Sequence, residues 1–236
     1  AWEEEGGRLR SDRRLGMVAN AAGDWQASEQ RSRVGIGHVR YATQGGTILR
    51  NVQPLHADLA RGAFSVAHNG NISNAMSLKR ELVQRGSIFQ STSDTEVIIH
   101  LIATSRYHKL LDRFVDALRM IEGAYSLICM TPKRMIACRD PLGIRPLVMG
   151  RIGDATVFAS ESVALDVVGA EFLREVEPGE IVEVRQDGRI TSHRPFGDVG
   201  ARPCIFEHVY FSRPDSVMGG QSVYEVRKRI GMELAK

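Results

Sequence analysis

The stretch Ala63-Phe64-Ser65-Val66-Ala67-His68-Asn69-Gly70-Asn71 carries the clearest local signals for the fold in this 236-residue sequence. Residues 63–68 are mostly apolar or small, a composition typical of a strand. The dipeptide Asn69-Gly70 that follows is a strong turn signal. The sequence therefore predicts a strand over residues 63–68 that ends in a tight turn at Asn69-Gly70.

Upstream, small or apolar residues alternate with others over Val34–Tyr41, which predicts a second strand. The chain before it, to about Gln30, is predicted to be loop with strand ends. Downstream, three helices are predicted from apolar residues at helical spacing. The first begins near Ala75 and is closed by Gly86, the second begins with a capping box at Ser93-Asp94-Thr95-Glu96 and continues to Ile102, and the third runs from Leu110 and ends at Gly123.

From Ala124 to about Ile190 the pattern changes to short strand-like runs with one short helix between Ser160 and Val168. Another helix is predicted from Ser222. Because the strand-rich part lacks the crossover helices that parallel strands require, the sequence predicts an α+β fold with largely antiparallel sheets. The predicted strand runs are Tyr125–Met130, Arg134–Cys138, Leu147–Gly150, Thr156–Ala159 and Ile181–Val184.

The composition excludes several classes of protein. The 31 basic and 28 acidic residues are too balanced for a nucleic-acid-binding surface, so no nucleic-acid partner is expected. No apolar run approaches the roughly 20 residues that span a bilayer, and the first residues do not have the form of a signal peptide, so no membrane partner is expected. Three widely spaced cysteines favour a reducing, cytoplasmic setting.

Four residues have side chains or backbone groups suited to one kind of chemistry. The amide of Asn69 and the N–H of Gly70 are donors that could form an oxyanion hole, although Asn-Gly also forms ordinary turns. Arg40 could bind a carboxylate through two hydrogen bonds, or form a surface ion pair. Asp94 could bind an ammonium group, or be favoured by the dipole at a helix start. Together these groups describe a receptor for an amino acid such as glutamine.

Six motifs occur in order along the chain: Gly37–Tyr41, Ile48–Leu55, His68–Asn71, Thr92–Glu96, Arg139–Leu147 and Cys204–Ser216. By the first four the sequence resembles the class II glutamine amidotransferases, and by the last two it resembles, within that class, the amidophosphoribosyltransferases. That resemblance implies an N-terminal-nucleophile hydrolase-like fold, an αββα four-layer sandwich with antiparallel sheets. It further implies that residues 1–200 form the amidotransferase domain without its N-terminal part, and that 201–236 form a linker and the beginning of a phosphoribosyltransferase domain.

The resemblance assigns Arg40 to the α-carboxylate of glutamine, Asp94 to its α-amino group, and Asn69 and Gly70 to the oxyanion hole. It implies that glutamine supplies ammonia for making 5-phosphoribosylamine from phosphoribosylpyrophosphate, the first step of purine synthesis. The phosphoribosyl half, which would use Mg²⁺, is expected to be missing, and the complete enzyme is expected to be a homo-oligomer. Cys204 corresponds to a ligand of a [4Fe–4S] cluster in some members; such a cluster needs four ligands, so none is expected on this chain alone.

The sequence departs from the family at the nucleophile, an N-terminal cysteine, because this chain begins with Ala1. Cys129 and Cys138 lie in apolar runs and are predicted to be buried and inert. We therefore expect a fragment that is inactive and poorly soluble by itself. The alternatives are a glutamine-binding regulatory module that has lost its nucleophile, or another class II amidotransferase.

Overall fold

The computed structural model of the protein describes residues 1–4, 8–20, 32–40, 47–60, 62–197 and 199–236. These residues form two compact units. The first comprises Ala1–Gly123 and Leu127–Met135, and the second comprises Ala124–Ser126 and Ile136–Lys236. The predicted boundary between residues 200 and 201 stays a prediction, and residues 5–7 and 21–30 of the predicted N-terminal stretch of loop and strand ends lie outside the described residues.

Two strand pairs of the first unit are antiparallel, Trp2–Glu4 with Arg8–Arg10 and Leu55–Leu59 with Gly62–Ile72. Strands β1 and β2 form a short hairpin-like pair, and β3 pairs with β4 so that Leu55 lies opposite Val66. The sheet order in this unit is β3–β4–β5. A 3₁₀ turn over Leu49–Asn51 precedes β3. The strands are β1 (Trp2–Glu4), β2 (Arg8–Arg10), β3 (Leu55–Leu59), β4 (Gly62–Ile72) and β5 (Gly123–Thr131).

Three helices follow β4 at the predicted places. Helix α1 spans Ala75–Gln84, α2 spans Glu96–Thr104 and α3 spans Leu110–Met120. Each buries the apolar face that its sequence spacing predicts, for example Phe114 and Leu118 of α3. Gly86 follows α1 with φ +95°, a conformation that favours glycine at a helix end.

The turn predicted at Asn69-Gly70 is wrong, because both residues lie inside β4, which continues to Ile72. Gly70 has φ +147°, which a residue with a Cβ rarely adopts. The neighbouring backbone explains why the strand continues: Gly123, the first residue of β5, approaches Asn71 so closely that a Cβ on it would overlap the Asn71 carbonyl oxygen. Tertiary pairing therefore overrides the local turn preference.

The strand predicted over Val34–Tyr41 is also wrong over its described part. Only Gly35 forms a bridge, opposite Trp2, and residues 36–40 have no regular structure. The backbone hydrogen bonds from Glu3 N–H to the Val34 carbonyl and from Ile36 N–H to the Ala1 carbonyl are 3.0 and 2.7 Å long. The alternating pattern reflects this brief pairing.

The predicted capping box does not form, and α2 begins at Glu96, three residues after the predicted start at Ser93. The Glu96 carboxylate accepts hydrogen bonds from the backbone N–H groups of Gln90 and Ser91, at 2.8 and 2.7 Å, and from the Ser91 hydroxyl at 2.6 Å. Burial by itself would raise the pKa of Glu96, but these hydrogen bonds outweigh it and hold the pKa below its ordinary value. Glu96 therefore fixes the loop before the helix.

The second unit contains most of the predicted strand-rich region. Its strands are β6 (Arg134–Arg139), β7 (Val148–Ile152), β8 (Ala155–Ala159), β9 (Glu171–Glu175), β10 (Ile181–Arg185), β11 (Ile190–His193), β12 (Val217–Met218) and β13 (Gln221–Ser222). They form a group ordered β6–β10–β11, a three-stranded sheet ordered β8–β7–β9, and the short pair β12–β13. Strands β9 and β11 were not predicted, because charged or polar residues interrupt their apolar pattern.

Two helices of the second unit confirm predictions: α4 spans Ser162–Val167 and α5 spans Val223–Leu234. A π-helical turn covers Glu207–Phe211. Leu165 of α4 is fully buried and packs with Val148 and Ala170. Among the described residues, no helix combines the length and the hydropathy needed to cross a membrane.

Candidate functional site

His68 is the centre of the candidate site, and three other motifs contact it. Its backbone N–H donates to Oε1 of Gln53 at 2.7 Å, and its carbonyl oxygen accepts from Nε2 of His38 at 3.0 Å. Its ring Nδ1 lies 3.0 Å from the hydroxyl oxygen of Thr95. His68 is only 4% exposed. The fold therefore gathers four separate sequence motifs around one buried residue.

Gln53 links two of these motifs with both ends of its amide. While Oε1 accepts from His68, Nε2 donates to the Thr95 hydroxyl at 3.3 Å. The side chain is buried, so both hydrogen bonds are protected from water. Gln53 lies within one of the sequence motifs, but no local sequence signal assigned it a role.

Asn51 and Thr92 form a second connection between the same two stretches of chain. The Asn51 amide nitrogen donates to the Thr92 hydroxyl at 2.8 Å, and its amide oxygen accepts from the Thr92 backbone N–H at 2.9 Å. Asn51 is completely buried. The segment that precedes β3 is thereby attached to the segment that precedes α2.

Asp94 lies beside this network with its carboxylate held by two backbone donors. Oδ2 accepts from the N–H of Ile72 at 2.9 Å, and Oδ1 accepts from the N–H of Thr95 at 3.0 Å. Oδ2 is also 3.9 Å from Nδ1 of His68. Since a carboxylate can accept about four hydrogen bonds, acceptor capacity remains on this largely buried group. The geometry suits a fixed anion that binds an ammonium group.

Asn69 and Gly70 follow His68 directly in β4, and both are partly exposed. Their positions therefore depend on the contacts that hold His68. An amide NH₂ and a backbone N–H are the donor types that stabilise an oxyanion. Their role as an oxyanion hole stays a prediction.

Arg40 lies two residues after His38 and is partly exposed. The hydrogen bond between His38 and the His68 carbonyl brings this segment beside β4. Tyr41 and Thr43, which the sequence placed with Arg40, lie outside the described residues. The assignment of Arg40 to a carboxylate stays a prediction.

The ring of His38 is neutral in this environment. Burial lowers its pKa, the hydrogen bond to the His68 carbonyl opposes that effect, and the nearby charge of Arg40 lowers it further. Because a carbonyl oxygen only accepts, Nε2 carries the proton and Nδ1 does not. Nδ1 is buried and has no hydrogen-bond partner within the described part of the chain.

The cysteines differ in their surroundings. Cys129 and Cys138 are buried, as predicted, and burial raises the pKa of the Cys129 thiol far above its ordinary value. Cys204 is partly exposed. In the ranges that the structure describes, no three His, Cys, Asp or Glu side chains cluster in a way that could hold a metal ion. Cys204 alone does not fit a [4Fe–4S] cluster, so its ligand role stays a prediction.

The Arg139–Leu147 motif of the second unit builds a loop around the buried carboxylate of Asp140. Arg139 closes this loop by donating to the carbonyl oxygens of Gly143 and Arg145, at 3.0 and 2.7 Å. Asp140 is 0% exposed, so its buried carboxylate needs hydrogen-bond donors to stabilise its charge. The Asp140 carboxylate accepts from four backbone N–H groups, those of Tyr125, Leu142, Ile144 and Arg145.

Arg145 joins this loop to the Cys204–Ser216 motif through an ion pair with the buried Glu207. Burial raises the pKa of Glu207, and the charge of Arg145 opposes that shift. The backbone N–H of Glu207 donates to the carbonyl of Cys204 at 3.1 Å. The ion pair between Arg145 and Glu207 therefore links these two motifs within the second unit.

Comparison with known proteins identifies the relatives of this chain. A family model described as a glutamine amidotransferase domain matches residues 38–167. The amidophosphoribosyltransferase of Rhizobium etli is 47% identical over 237 residues, which cover 98% of this chain and 48% of that protein. The Bacillus subtilis amidophosphoribosyltransferase is 44% identical over 233 residues, covering 98% and 49%. The chain spans about half the length of these relatives.

Solved structures agree with the sequence matches. The glutamine phosphoribosylpyrophosphate amidotransferase of B. subtilis, complexed with ADP and GMP, has a TM-score of 0.78 and 47% identity, covering 82% of this chain and 42% of that one. A structure described as the allosteric regulatory enzyme of purine biosynthesis has a TM-score of 0.80 and 48% identity, covering 84% and 43%. These matches confirm the predicted α+β, N-terminal-nucleophile hydrolase-like fold.

Proposed function

The chain belongs to the glutamine amidotransferase domain family, with amidophosphoribosyltransferases as its relatives, and from this premise we propose its function. It is the glutamine-binding half of an enzyme that makes 5-phosphoribosylamine from phosphoribosylpyrophosphate, the first step of purine synthesis. Its task is to release ammonia from the glutamine side chain. The observation that carries this proposal is the buried network at His68, which joins the motifs of Arg40, Asp94 and Asn69-Gly70.

The chemistry of the network supports binding of a free amino acid. The Asp94 carboxylate is fixed by two backbone N–H donors and retains capacity for the α-ammonium group of glutamine. The guanidinium of Arg40 pairs with the α-carboxylate. With both ends of the amino acid held, the side-chain carbonyl reaches Asn69 and Gly70, whose N–H donors stabilise the oxyanion formed by nucleophilic attack.

Attack on the amide requires a reactive thiolate, which the family supplies from an N-terminal cysteine. Cys129 and Cys138 are too buried for this role, and burial keeps the Cys129 thiol protonated. We therefore expect a polypeptide of these 236 residues to bind glutamine without hydrolysing it. A measurable glutaminase activity from this polypeptide alone would contradict that expectation.

The decisive experiment uses the complete protein and compares glutamine with free ammonia as nitrogen source. Arg40→Ala is expected to raise the KM for glutamine roughly ten- to hundred-fold, since hydrogen bonds to charged groups contribute about 1.5–3 kcal/mol. The ammonia-dependent reaction should be unchanged. Arg33→Ala, an exposed arginine nearby in sequence, is the matched control. Unchanged glutamine kinetics in Arg40→Ala would overturn the assignment.

The same assay separates the alternatives. Dependence on phosphoribosylpyrophosphate supports the proposal, whereas dependence on fructose-6-phosphate would indicate another class II amidotransferase. A regulatory module without a nucleophile would bind glutamine and hydrolyse none of it in the complete protein.

Further properties follow from the proposal. The complete enzyme is a cytoplasmic homo-oligomer, and its phosphoribosyl half uses Mg²⁺. Cys204 contributes one ligand to a [4Fe–4S] cluster whose other ligands lie outside this chain, because four thiolates are needed. Iron and sulfide analysis of the purified complete protein, with Cys204→Ser as the variant, tests this assignment; an iron-free protein would refute it.

A further inference from the structure

The first unit contains a pocket about 190 Å³ in volume, in a different part of the unit from the His68 network. It is formed by the end of β3, the beginning of β4, the turn between β5 and β6, and the neighbouring parts of α2 and α3. Of its apolar lining residues, Phe64 and Ile102 are almost fully buried, at 1% and 0% exposed, whereas Leu59 is partly exposed and accessible to a ligand. Leu110 also lines it.

The charged residues that line the pocket all have the same sign. Arg113, Lys133 and Arg134 contribute positive charges, and among the described residues that line the pocket none is acidic. An apolar pocket with cations at its walls is complementary to an anion attached to an apolar group.

Arg113 is anchored in a way that leaves donors available. Its Nε donates to the carbonyl of Tyr107 at 2.6 Å, and Nη1 donates to the carbonyl of Ile102 at 3.5 Å. A guanidinium has five N–H donors, so these two bonds fix its position and leave three. In the described residues Arg113 makes no ion pair with a carboxylate, unlike Arg139, which pairs with Glu175.

We propose that this pocket is a binding site for a small organic acid with an apolar ring, whose carboxylate pairs with Arg113 while the ring contacts Leu59 and Leu110. The volume supports this size of ligand, since a cavity of about 150 Å³ accepts benzene. The site is separate from glutamine binding and does not depend on the proposed function. Lys133, which is exposed, adds a second positive charge at the entrance.

Calorimetric titration of the full chain with benzoate tests the proposal, with benzamide and acetate as matched probes. Benzamide keeps the ring without the charge, and acetate keeps the charge without the ring. Saturable benzoate binding at least ten-fold tighter than that of either probe is expected. Equal affinity for benzoate and benzamide, or no saturation by benzoate, would overturn the proposal.

Two variants locate the binding. Arg113→Gln should weaken benzoate at least ten-fold, whereas Arg119→Gln, on the same helix but outside the pocket, should leave it unchanged. Lys133→Gln, at an exposed position, should weaken benzoate binding two- to five-fold through the lost charge. This variant tests the location of the site if Arg113→Gln does not fold. Benzoate affinity that is unaffected at both positions would show that binding occurs elsewhere.

Discussion

Replacing Gln53 by Met tests whether the His68 network holds the site together. Methionine has a similar length and apolar stem, so it fills the buried space while removing both hydrogen bonds of the amide. The backbone N–H of His68, now donating to Gln53 at 2.7 Å, would remain buried without an acceptor. The hydroxyl of Thr95 would lose the donor now 3.3 Å away.

The magnitude follows from these two losses. An unsatisfied buried donor costs about 1–3 kcal/mol, and the longer bond to Thr95 contributes about 0.5–1 kcal/mol. We therefore expect the free energy of unfolding to fall by about 1.5–4 kcal/mol. Urea denaturation followed by far-UV circular dichroism measures it, and the midpoint should shift without a large change of slope.

Gln84→Met is the matched control, because it makes the same chemical change at an exposed position of α1. Its effect should stay within about 0.5 kcal/mol. In the complete protein, Gln53→Met should lower kcat for glutamine while leaving the ammonia-dependent rate unchanged, because the strand that carries Asn69 and Gly70 loses its anchor. Equal stabilities of Gln53→Met and Gln84→Met would refute the reasoning.

Three further predictions concern single side chains. Asp94→Asn in the complete protein should raise the KM for glutamine roughly ten- to hundred-fold through the lost charge, with ammonia use unaltered. Steady-state kinetics with both nitrogen sources measures this, and equal changes in the glutamine-dependent and ammonia-dependent reactions would disprove it. Burial lowers the pKa of His38 in the folded protein below its ordinary value of 6.5. Between this lowered pKa and 6.5 the unfolded chain binds more protons than the folded protein, so the free energy of unfolding falls as the pH is lowered through that range. His38→Gln retains a donor for the His68 carbonyl and should lose less stability between pH 7 and pH 5, as measured by urea denaturation at both; an identical loss would contradict the role of this ring. Asp140→Ala should destabilise by roughly 3–5 kcal/mol, because four backbone donors lose a charged acceptor, whereas Asp187→Ala on an exposed turn should cost under about 1 kcal/mol; comparable losses in urea denaturation would argue against the buried loop.

The helices could be predicted from sequence because their signals are local. In α1 and α3, apolar residues recur at the helical spacing, and the structure buries Leu78 and Leu82 of α1 and Phe114 of α3 accordingly. The buried state of Cys129 was equally visible from its apolar neighbours. Such features depend on residues close in the chain, so the sequence alone determined them.

The candidate site depended on pairings between residues far apart in the chain. Asn69-Gly70 has the local preference of a turn, yet β4 continues through it because Gly123 and the rest of β5 lie alongside. Glu96 has the spacing of a capping box, yet it binds the N–H groups of Gln90 and Ser91 instead. In both places, tertiary contacts replaced the structure that short-range preferences favour.

The sequence by itself determined which groups are present: an arginine, an aspartate, and an amide next to a glycine, within motifs of one enzyme family. Only the tertiary structure decided what holds them, namely Gln53 and Thr95 around the backbone and ring of His68. The physical reason is that a buried donor must find an acceptor, and which side chain supplies it depends on the packing of segments 15 and 27 residues apart.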